Sequence, residues 1–553
     1  PAVQLLDFEK TDELAPGVSQ TVTITADAQY MASWDSTAKN AKGTKGTYIL
    51  DAGDYHFSVG NGAHAAVDNV LNADSDETAT WTLDKLDTTT FATTKNGTKV
   101  ENQFEDADLN KWMPDTVTYL SRSDWNGTWP KVYKDLTATE DMLNGGLTND
   151  TYQIAENTKE KATTWGADGN LTLAQFKGVK SPDNKDFQKL MNQMTLSEAM
   201  IRTAFGGTST KPVVSISSPE AVQNDGPNGF ASYTLGQYAN KDKSSGDPYA
   251  IDTKDKNANY SMGIMANESI IGQTFSKQLA AEWGKLLGNY SIWANTTILW
   301  GLGTDLHRNA YNARNHEYYS EDPVLTAQMV TASVKPSRAY GVILAGKHYA
   351  FNDTEINRIG IAVFMTEQKA REGELRASQM GVEDGDILGM MTGYNRIGVR
   401  TTNAHTGLMM NILRDEWGFK GLVSEDFIMD SEYKNLRQAA INGVTMTAST
   451  GDDSMAAIKK IWPYWNDKDV AKDSVMSAAL KRNMIWQYYA IANSNAMDGL
   501  NTTSRLKRVN TWYDNLLLAT SIVTGVLTAA AAVMYALSRR KFAQSAQTAQ
   551  KGN

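Results

Sequence analysis

The segment GVILAGKHYAFNDTEINR, residues 341–358, joins a short apolar run directly to a loop of charged and amide side chains. Four other apolar runs have the same arrangement, at 213–216, 297–300, 387–391 and 421–424. Between the runs lie stretches with apolar residues at helical spacing, such as 186–205 and 274–294. Strand, polar loop and helix in repetition are typical of an α/β barrel. We therefore predict an α/β fold, a TIM-like (β/α)8 barrel, over residues 191–495.

Polar side chains follow each of the apolar runs. In a barrel the C-terminal ends of the strands meet at one face, so these side chains are expected to line a common pocket. A sugar needs acceptors for adjacent hydroxyls, rigid donors and an apolar face. Asp225 is a candidate acceptor, and Arg314 and Lys347 are candidate donors. Tyr394 or Phe427 could supply the apolar face. The pattern thus indicates a pocket for a polyhydroxylated ligand.

Four strings in this region resemble the barrel signatures of glycoside hydrolase family 3, best known for β-glucosidases. They occur in the family's order, and they are NDGPNG (224–229), ARNHEYYSEDP (313–323), KHYAFNDTEINR (347–358) and DEWGFKGLVSEDF (415–427). The similarity runs from about residue 193 to 430, and more weakly to about 490. It implies retaining hydrolysis of terminal β-D-glucosyl or similar β-glycosyl residues. A β-glucoside or oligosaccharide is then the expected substrate, and no cofactor is expected.

The resemblance also implies site residues. Asp426 falls at the position of the nucleophile, with Glu425 where Ser or Thr is usual and Phe427 in place of Trp. Neighbouring strand residues face opposite sides, so only one of the two carboxylates should enter the pocket, and we favour Asp426. It would form a covalent glycosyl-enzyme. The remaining residues implied to bind the sugar are Asp225, Arg314, Lys347, His348 and Tyr394.

Each of these residues also has a structural interpretation. Asp426 could cap a helix, and His348 could be an ordinary buried histidine. Arg314 could form an ion pair with Glu317. A pair between Arg358 and Glu355 is expected to fix its loop rather than to bind ligand.

Two departures from the family pattern limit the implied activity. Phe230-Ala231 stand where many members have an Arg, so fine sugar specificity stays open. The family's general acid usually comes from a third, α/β sandwich domain, and no such segment is evident in this chain. We expect that domain upstream of Pro1, and the chain to be a fragment of a longer enzyme with inverted domain order. Without a proton donor, a loss of ~10²–10⁴ in rate on natural substrates is expected.

The first part of the chain has the alternation of half-buried strands, as in VSQTVTITADAQY (18–30) and GTYILDAGDYHFSVGNG (46–62). LDFEKTDELAPGVSQTVTIT (6–25) and GTYILDAGDYHFSVG (46–60) resemble the fibronectin type III-like domain of the same family. We predict a β-sandwich over 1–95, possibly without its opening strand. An extended connector would follow over 96–190. Its tryptophans could bind sugar but are expected to anchor the connector to its neighbours.

The C-terminal run LLLATSIVTGVLTAAAAVMYAL, residues 516–537, has no charge. About 20 apolar residues suffice to cross a bilayer as a helix. We predict a single transmembrane helix over 514–538 and a polar tail over 539–553. The lipid bilayer is thus an expected partner. Basic residues on both sides give only a slight bias, towards an extracellular catalytic body and an internal tail.

Composition excludes several classes of function. The net charge is −10, which argues against a general nucleic-acid binder. There is no cysteine, which excludes disulfides and thiolate metal sites. The six histidines show no metal-binding spacing, so no metal site is predicted. Gly301-Leu302-Gly303 lacks the rest of a phosphate-binding fingerprint.

Other functions remain open. One is a membrane-anchored carbohydrate-binding or adhesion protein that has lost catalysis. Another is a β-xylosidase or an N-acetylhexosaminidase of the same family, although the hexosaminidase His-Asp loop has no convincing equivalent here. The sequence does not determine the glycone, the linkage or the oligomeric state.

Overall fold

The computed structural model describes residues 3–73, 76–121, 124–147, 163–207, 209–226, 265–352, 354–427, 436–449, 456 and 467–551. The chain forms two compact units, Pro1–Ser504 and Arg505–Asn553.

The N-terminal region contains two antiparallel strand pairs. Strands β1 (Ser33–Lys39) and β2 (Lys45–Ile49) form one pair, and β3 (Gly53–Ser58) and β4 (Thr78–Leu83) form the other. Helix α1 (Ala63–Leu71) lies between β3 and β4 in sequence. The alternation at 46–62 therefore predicted strands correctly.

The alternation at 18–30 did not predict a strand. Residues 18–27 have no regular secondary structure, and a 3-10 turn follows at Ala28–Met31. An alternating pattern favours a strand because the apolar face of the strand becomes buried. Val18 and Ile24 are exposed, so this segment lacks that burial.

The region predicted as an extended connector contains short helices. In its described residues these include α2 (Leu109–Trp112), α3 (Trp125–Thr128) and α4 (Glu140–Met142). Trp112 is partly buried and donates a hydrogen bond from Nε1 to the carbonyl of Asp106. Trp125 and Trp129 remain half exposed, so these two do not anchor the connector as expected.

A six-stranded sheet forms the centre of the larger unit. In chain order its strands are β5 (Ser209–Thr210), β6 (Ala221–Asp225), β7 (Ile298–Gly303), β8 (Ile343–Tyr349), β10 (Gly389–Thr392) and β13 (Leu422–Glu425). The spatial order is β13-β10-β8-β7-β6-β5, and every pair is parallel except β5 with β6. A small sheet beside it contains β9 (Ala362–Val363), β11 (Arg396–Ile397) and β12 (Arg400–Thr401).

Both faces of the six-stranded sheet are buried, as expected for parallel strands. Ile298, Ile343 and Leu422 belong to one apolar cluster. Their chain neighbours Leu299, Leu344 and Val423 belong to another. Alternate residues of a strand face opposite sides, so each strand contributes to both clusters and reads as a continuous apolar run.

The edges of the sheet are connected through segment 445–449. The N–H of Glu425, in β13, donates to the carbonyl of Met446. On the other side, the N–H groups of Gly206 and Gly207 donate to Thr447 and Ser449. The sheet therefore curls, but a full eight-stranded TIM barrel is not confirmed.

The prediction of a strand at 213–216 was wrong. Residues Val214–Ile216 form a 3-10 turn, and Ser217 has a left-handed φ of 50°. Val213 and Ser218 close this turn with an antiparallel bridge. The parallel strand is β6, five residues further on, because the turn reverses the chain before it. The other four runs overlap strands β7, β8, β10 and β13.

Helices cover the sheet. In chain order they are α5 (Lys185–Asn192), α6 (Leu196–Ala204), α7 (Glu268–Gln273), α8 (Lys277–Trp293), α9 (Pro323–Ser337), α10 (Glu367–Lys369), α11 (Arg376–Glu383), α12 (Leu436–Ile441), α13 (Asp467–Lys472) and α14 (Ser474–Ala492). Their starts follow local capping rules: Thr195 and Glu198 form a capping box at α6, and Asp322 caps α9 through the N–H groups of Val324 and Leu325.

The N-terminal strands pack on this body through a buried charged cluster. Arg371 donates to Glu367 and Glu416, and its guanidinium lies 4.0 Å from the ring centroid of Trp34, in β1. Glu367 accepts the N–H groups of Gln103 and Phe104. We call Arg371, Glu367, Glu416 and Trp34 the interface cluster.

The connector also supports the loop that follows β8. The N–H of Met365 donates to the carbonyl of Ala107 at 2.8 Å. Arg396 donates to the carbonyls of Gly360 and Leu147, at 2.9 and 3.1 Å. Both contacts join residues near this loop to the connector.

The described part of the second unit, residues 505–551, contains one long helix, α15 (Trp512–Gln550). Thr511 and Asp514 form a capping box at its start. Its most apolar window has a mean hydropathy of 2.1, so the helix is long and apolar enough to cross a membrane.

Candidate active site

A polar cavity of about 360 Å³ opens at the C-terminal ends of the parallel strands. Four carboxylates, two arginines, a lysine and a histidine contribute to its wall. The lining residues are Gly207, Gln223, Asn224, Asp225, Trp300, Arg314, Glu317, Lys347, His348, Glu355, Arg358, Met391, Asp426, Phe427 and Ala448.

One side of the cavity is a chain of alternating charges. Lys347 lies 2.5 Å from Asp225 and 3.9 Å from Glu317, measured from Nζ to the carboxylate oxygens. Arg314 makes a two-pronged contact with Glu317, at 3.0 Å from Nε and 2.6 Å from a terminal nitrogen. These contacts fix both the acceptors and the donors in place before any ligand binds.

The charge state of Lys347 follows from this chain. Burial lowers the pKa of its ammonium, but the carboxylates of Asp225 and Glu317 outweigh that effect, and the net shift is upward. Lys347 is 2% exposed, so it is a buried cation held by two anions. It can donate to a ligand hydroxyl without changing its protonation.

A second group connects the loop after β8 to Asp426. Arg358 lies 3.3 Å from Glu355 and 3.5 Å from Oδ2 of Asp426. Glu355 also lies 3.5 Å from Arg314. The guanidinium of Arg358 stacks on the ring of Tyr394, 4.3 Å from its centroid. Arg358 and Glu355 thus pair as predicted, but they also face the cavity.

Asp426 stands just beyond the end of β13. It is 6% exposed, and its Oδ1 accepts the N–H of Phe427 at 2.7 Å. Within the part of the chain that the structure describes, its Oδ2 is buried without a hydrogen-bond donor. Glu425 does not line the cavity; it accepts a hydrogen bond from Asn403 at 2.6 Å. The two carboxylates therefore point to different surroundings, as strand alternation predicts.

His348 lies between two carboxylates. Its Nε2 is 3.9 Å from Oδ2 of Asp426, and its Nδ1 is 3.4 Å from Oδ2 of Asp305. The hydroxyl of Tyr318 is 3.3 Å from Nδ1. His348 is 2% exposed, so it has a buried polar environment on both sides of its ring.

The structure brings together most of the residues predicted from sequence. Asp225, Arg314, Lys347, His348 and Asp426 all line the cavity. Tyr394 does not line it: the residue is 1% exposed and carries Arg358 on its ring. Burial raises the pKa of the Tyr394 hydroxyl, and Asp426 adds to this effect. Phe230 and Ala231 lie outside the described residues.

Sequence reasoning missed Trp300 as a cavity residue. Trp300 lies beside Asp225 in the β6–β7 register, and its Nε1 donates to Gln223 at 3.0 Å. The position of Trp300 at the end of a predicted strand could have indicated this, because a side chain there can face the pocket. The sequence analysis uses Trp300 only as part of the apolar run 297–300. Within the described ranges, no group of three His, Asp or Glu side chains could hold a metal ion.

Comparison with family models assigns the two main regions. Residues 260–475 match the N-terminal domain of glycosyl hydrolase family 3. Over these residues the chain is similar to glycoside hydrolase family 3. Residues 1–63 match a fibronectin type III-like domain, so this match lies before the family 3 match in the chain.

Curated relatives of this chain include β-glucosidases. One from Ruminococcus albus is 27% identical over 433 residues, which cover 76% of this chain and 39% of that protein. β-Glucosidase A from Butyrivibrio fibrisolvens is 27% identical over 487 residues, which cover 83% of this chain and 51% of that protein. The chain thus spans about half the length, or less, of these relatives. The similarities support a glycosidase.

A solved structure has the same fold over most of the chain. It is a β-glucosidase from Paenibacillus barengoltzii, with a TM-score of 0.61 and 20% identity. The match covers 88% of this chain and 48% of that structure.

Proposed function

We propose that the chain provides the nucleophile and the sugar pocket of a retaining β-glucosidase. Terminal β-D-glucosyl residues of a glucoside or oligosaccharide are the proposed substrate. The observation that carries this proposal is Asp426, whose Oδ2 is buried at the cavity without a hydrogen-bond donor in the described part of the chain. A desolvated carboxylate oxygen is suited to attack an anomeric carbon.

The polar wall supports a sugar as the ligand. Asp225 and Glu317 offer acceptors for adjacent hydroxyls, and Arg314 and Lys347 offer donors. Because these groups already hold one another, a ligand would meet an organised set of partners at little ordering cost. Trp300 adds an apolar surface beside Asp225.

In the proposed step Oδ2 of Asp426 attacks the anomeric carbon, and the bond from that carbon to the leaving oxygen breaks. The leaving oxygen needs a proton, and water later releases the sugar with retained configuration. The other cavity carboxylates each face a lysine or an arginine. We therefore propose that the acid is a residue outside the described part of the chain.

We also propose that helix α15 anchors the protein in a membrane as a single span. Trp512 and Tyr513 at one end and Tyr535 near the other suit the two interfaces, and Arg539, Arg540 and Lys541 follow the apolar run. The basic tail favours the inside, which leaves the catalytic body extracellular. Carbonate extraction of membranes from the expressing cell tests this: release of the full chain would reject the anchor.

Covalent labelling tests the catalytic proposal. The chain is incubated with a 2-deoxy-2-fluoro-β-glucoside that carries a dinitrophenolate leaving group, and the intact mass is measured. This reagent needs a nucleophile but little acid assistance. We expect a single fluoroglucosyl adduct on the peptide containing Asp426. The adduct should be absent in Asp426→Asn and present in Glu425→Gln, a neighbouring carboxylate that faces away from the cavity.

The same assay separates the alternative functions. Labelling by a 2-fluoro-xyloside instead of the glucoside would make the chain a xylosidase. No labelling by either, together with glucose binding seen by calorimetry, would indicate a binding protein without catalysis. An adduct that persists in Asp426→Asn would reject Asp426 as the nucleophile.

A further inference from the structure

A buried carboxylate, Asp305, lies behind the cavity in the segment after β7. It is 3% exposed and does not line the cavity. Its Oδ1 accepts the N–H of Asn352 at 3.1 Å, and its Oδ2 accepts the N–H of His348 at 2.9 Å. Asp305 thus holds the end of β8 and the turn that follows it.

The same oxygen also faces the histidine ring. Oδ2 of Asp305 is 3.4 Å from Nδ1 of His348, whose Nε2 is 3.9 Å from Oδ2 of Asp426. Tyr318 approaches Nδ1 with its hydroxyl, and Asn352 donates to that hydroxyl at 3.2 Å. The imidazole is therefore in line between two carboxylates, one inside the cavity and one behind it.

We propose that Asp305 is a positioning residue that keeps His348 charged, with Nδ1–H directed at Asp305 and Nε2–H directed at Asp426. The inference rests on the proposed function, in which Asp426 is the nucleophile. A charged imidazole in this place holds the carboxylate of Asp426 in one orientation before substrate binds. Loss of the proton from His348 removes that hold, so the reaction slows at alkaline pH.

The electrostatic surroundings support a shared proton. Burial raises the pKa of Asp305 to about 7, although the two backbone N–H groups oppose the shift. Glu374 raises the pKa of Asp305 further, and Arg314 lowers it. A carboxyl that titrates near neutral pH, next to an imidazole, forms a coupled pair whose protons are shared. Among the described residues, Tyr318 and Asp426 are titratable groups that also face the His348 ring.

The first test measures the titration of His348 without using activity. Deuterium exchange at the imidazole C2 position, followed by mass spectrometry of the peptide, gives the pH midpoint of each histidine. In Asp305→Asn the midpoint of His348 should fall by about one pH unit or more, because an adjacent opposite charge shifts a titration by about 1–3 units. His405, which contacts Asp106 instead, is the internal control.

Two further variants make the result specific. Asp322→Asn is the matched control, since Asp322 also accepts two backbone N–H groups but caps α9. It should leave His348 unchanged. Tyr318→Phe removes a hydroxyl that competes with Asp305 for Nδ1, so the midpoint of His348 should rise. Equal midpoints in the wild type and Asp305→Asn, or a fall in Tyr318→Phe, would overturn the inference.

The second test links His348 to the reaction. The rate of labelling by the 2-fluoro-glucoside is measured against pH in the wild type, Asp305→Asn and Asp322→Asn. In Asp305→Asn we expect the alkaline limb of the pH–rate profile to shift to lower pH, by the same number of pH units as the midpoint of His348. A limb that stays in place would overturn the positioning role. A wild-type chain that is never labelled would instead reject the proposed function and the link to Asp426, whatever the titration of His348 shows.

Discussion

The interface cluster and the cavity both bury charges, but they satisfy them differently. In the interface cluster the nitrogens of Arg371 donate to Glu367, to Glu416 and to the carbonyl of Glu101. In the cavity, Oδ2 of Asp426 has arginine and histidine nitrogens at 3.5 and 3.9 Å, beyond good hydrogen-bond distance.

This difference separates charges that stabilise the fold from charges that are available for chemistry. A buried ion pair contributes to stability only when its remaining hydrogen bonds are made. A carboxylate oxygen left without a donor costs stability, but it retains its reactivity. Changes in the interface cluster should therefore affect unfolding, and changes in the cavity should affect the reaction.

The largest effect is expected for Asp426→Asn. Loss of the nucleophile should reduce the labelling rate by at least about 10³-fold, because the reagent labels the chain through attack by that carboxylate. Unfolding by urea should occur at about the same concentration, because within the described residues the change removes no hydrogen bond to Oδ2. A marked loss of stability would show that Asp426 belongs with the structural charges.

Next in size is Arg371→Met. The change leaves Glu367 and Glu416 buried without their cation, which should lower the free energy of unfolding by about 3–5 kcal/mol. Urea denaturation followed by tryptophan fluorescence measures this. The additional change Glu416→Gln should recover part of the loss. At urea concentrations well below its unfolding midpoint, Arg371→Met should be labelled by the reagent at close to the wild-type rate. A large decrease in that rate would show that the interface cluster also acts on the reaction.

Lys347→Met should give an intermediate effect on binding. A charge-assisted hydrogen bond to a ligand hydroxyl contributes about 1.5–3 kcal/mol, so the inhibition constant of the reagent should rise by roughly 10–150-fold. The control is Lys211→Met, which removes an exposed pair with Glu220. That variant should bind the reagent normally. A wild-type inhibition constant in Lys347→Met would exclude this lysine from the pocket's binding surface.

The smallest effect concerns pH and Glu383, in α11. Burial raises the pKa of Glu383 to about 7, although Lys95 opposes the shift. A carboxyl with a raised folded-state pKa stabilises the fold below its unfolded value of 4.5, and this contribution is lost as pH rises to about 7.

In Glu383→Gln the difference in Tm from the wild type should therefore increase from pH 4.5 to 7 and then stay constant. A series of thermal melts across this range measures the difference. A difference in Tm that does not change with pH would mean that the Glu383 carboxyl has the same pKa in the folded and the unfolded chain.

Sequence reasoning singled out most of the residues that line the cavity, because short strings of polar residues directly follow the strands. It could not show that Tyr394 is covered by Arg358, since stacking depends on how the loop after β8 folds back. It also misplaced β6, because a run of β-branched residues is equally compatible with a buried turn. Asp305 was not among the predicted site residues, since its contacts come from residues more than 40 positions away.

The contacts of the connector have a consequence for how this protein can be divided. Ala107 bonds to Met365 and Leu147 to Arg396, so the first third of the chain supports the loop that carries Glu355 and Arg358. The molecule is therefore not modular in the sense that protein engineers use the word. Grafting residues 191–495 alone onto another protein would transfer the six strands of the central sheet but leave one wall of the pocket without its scaffold.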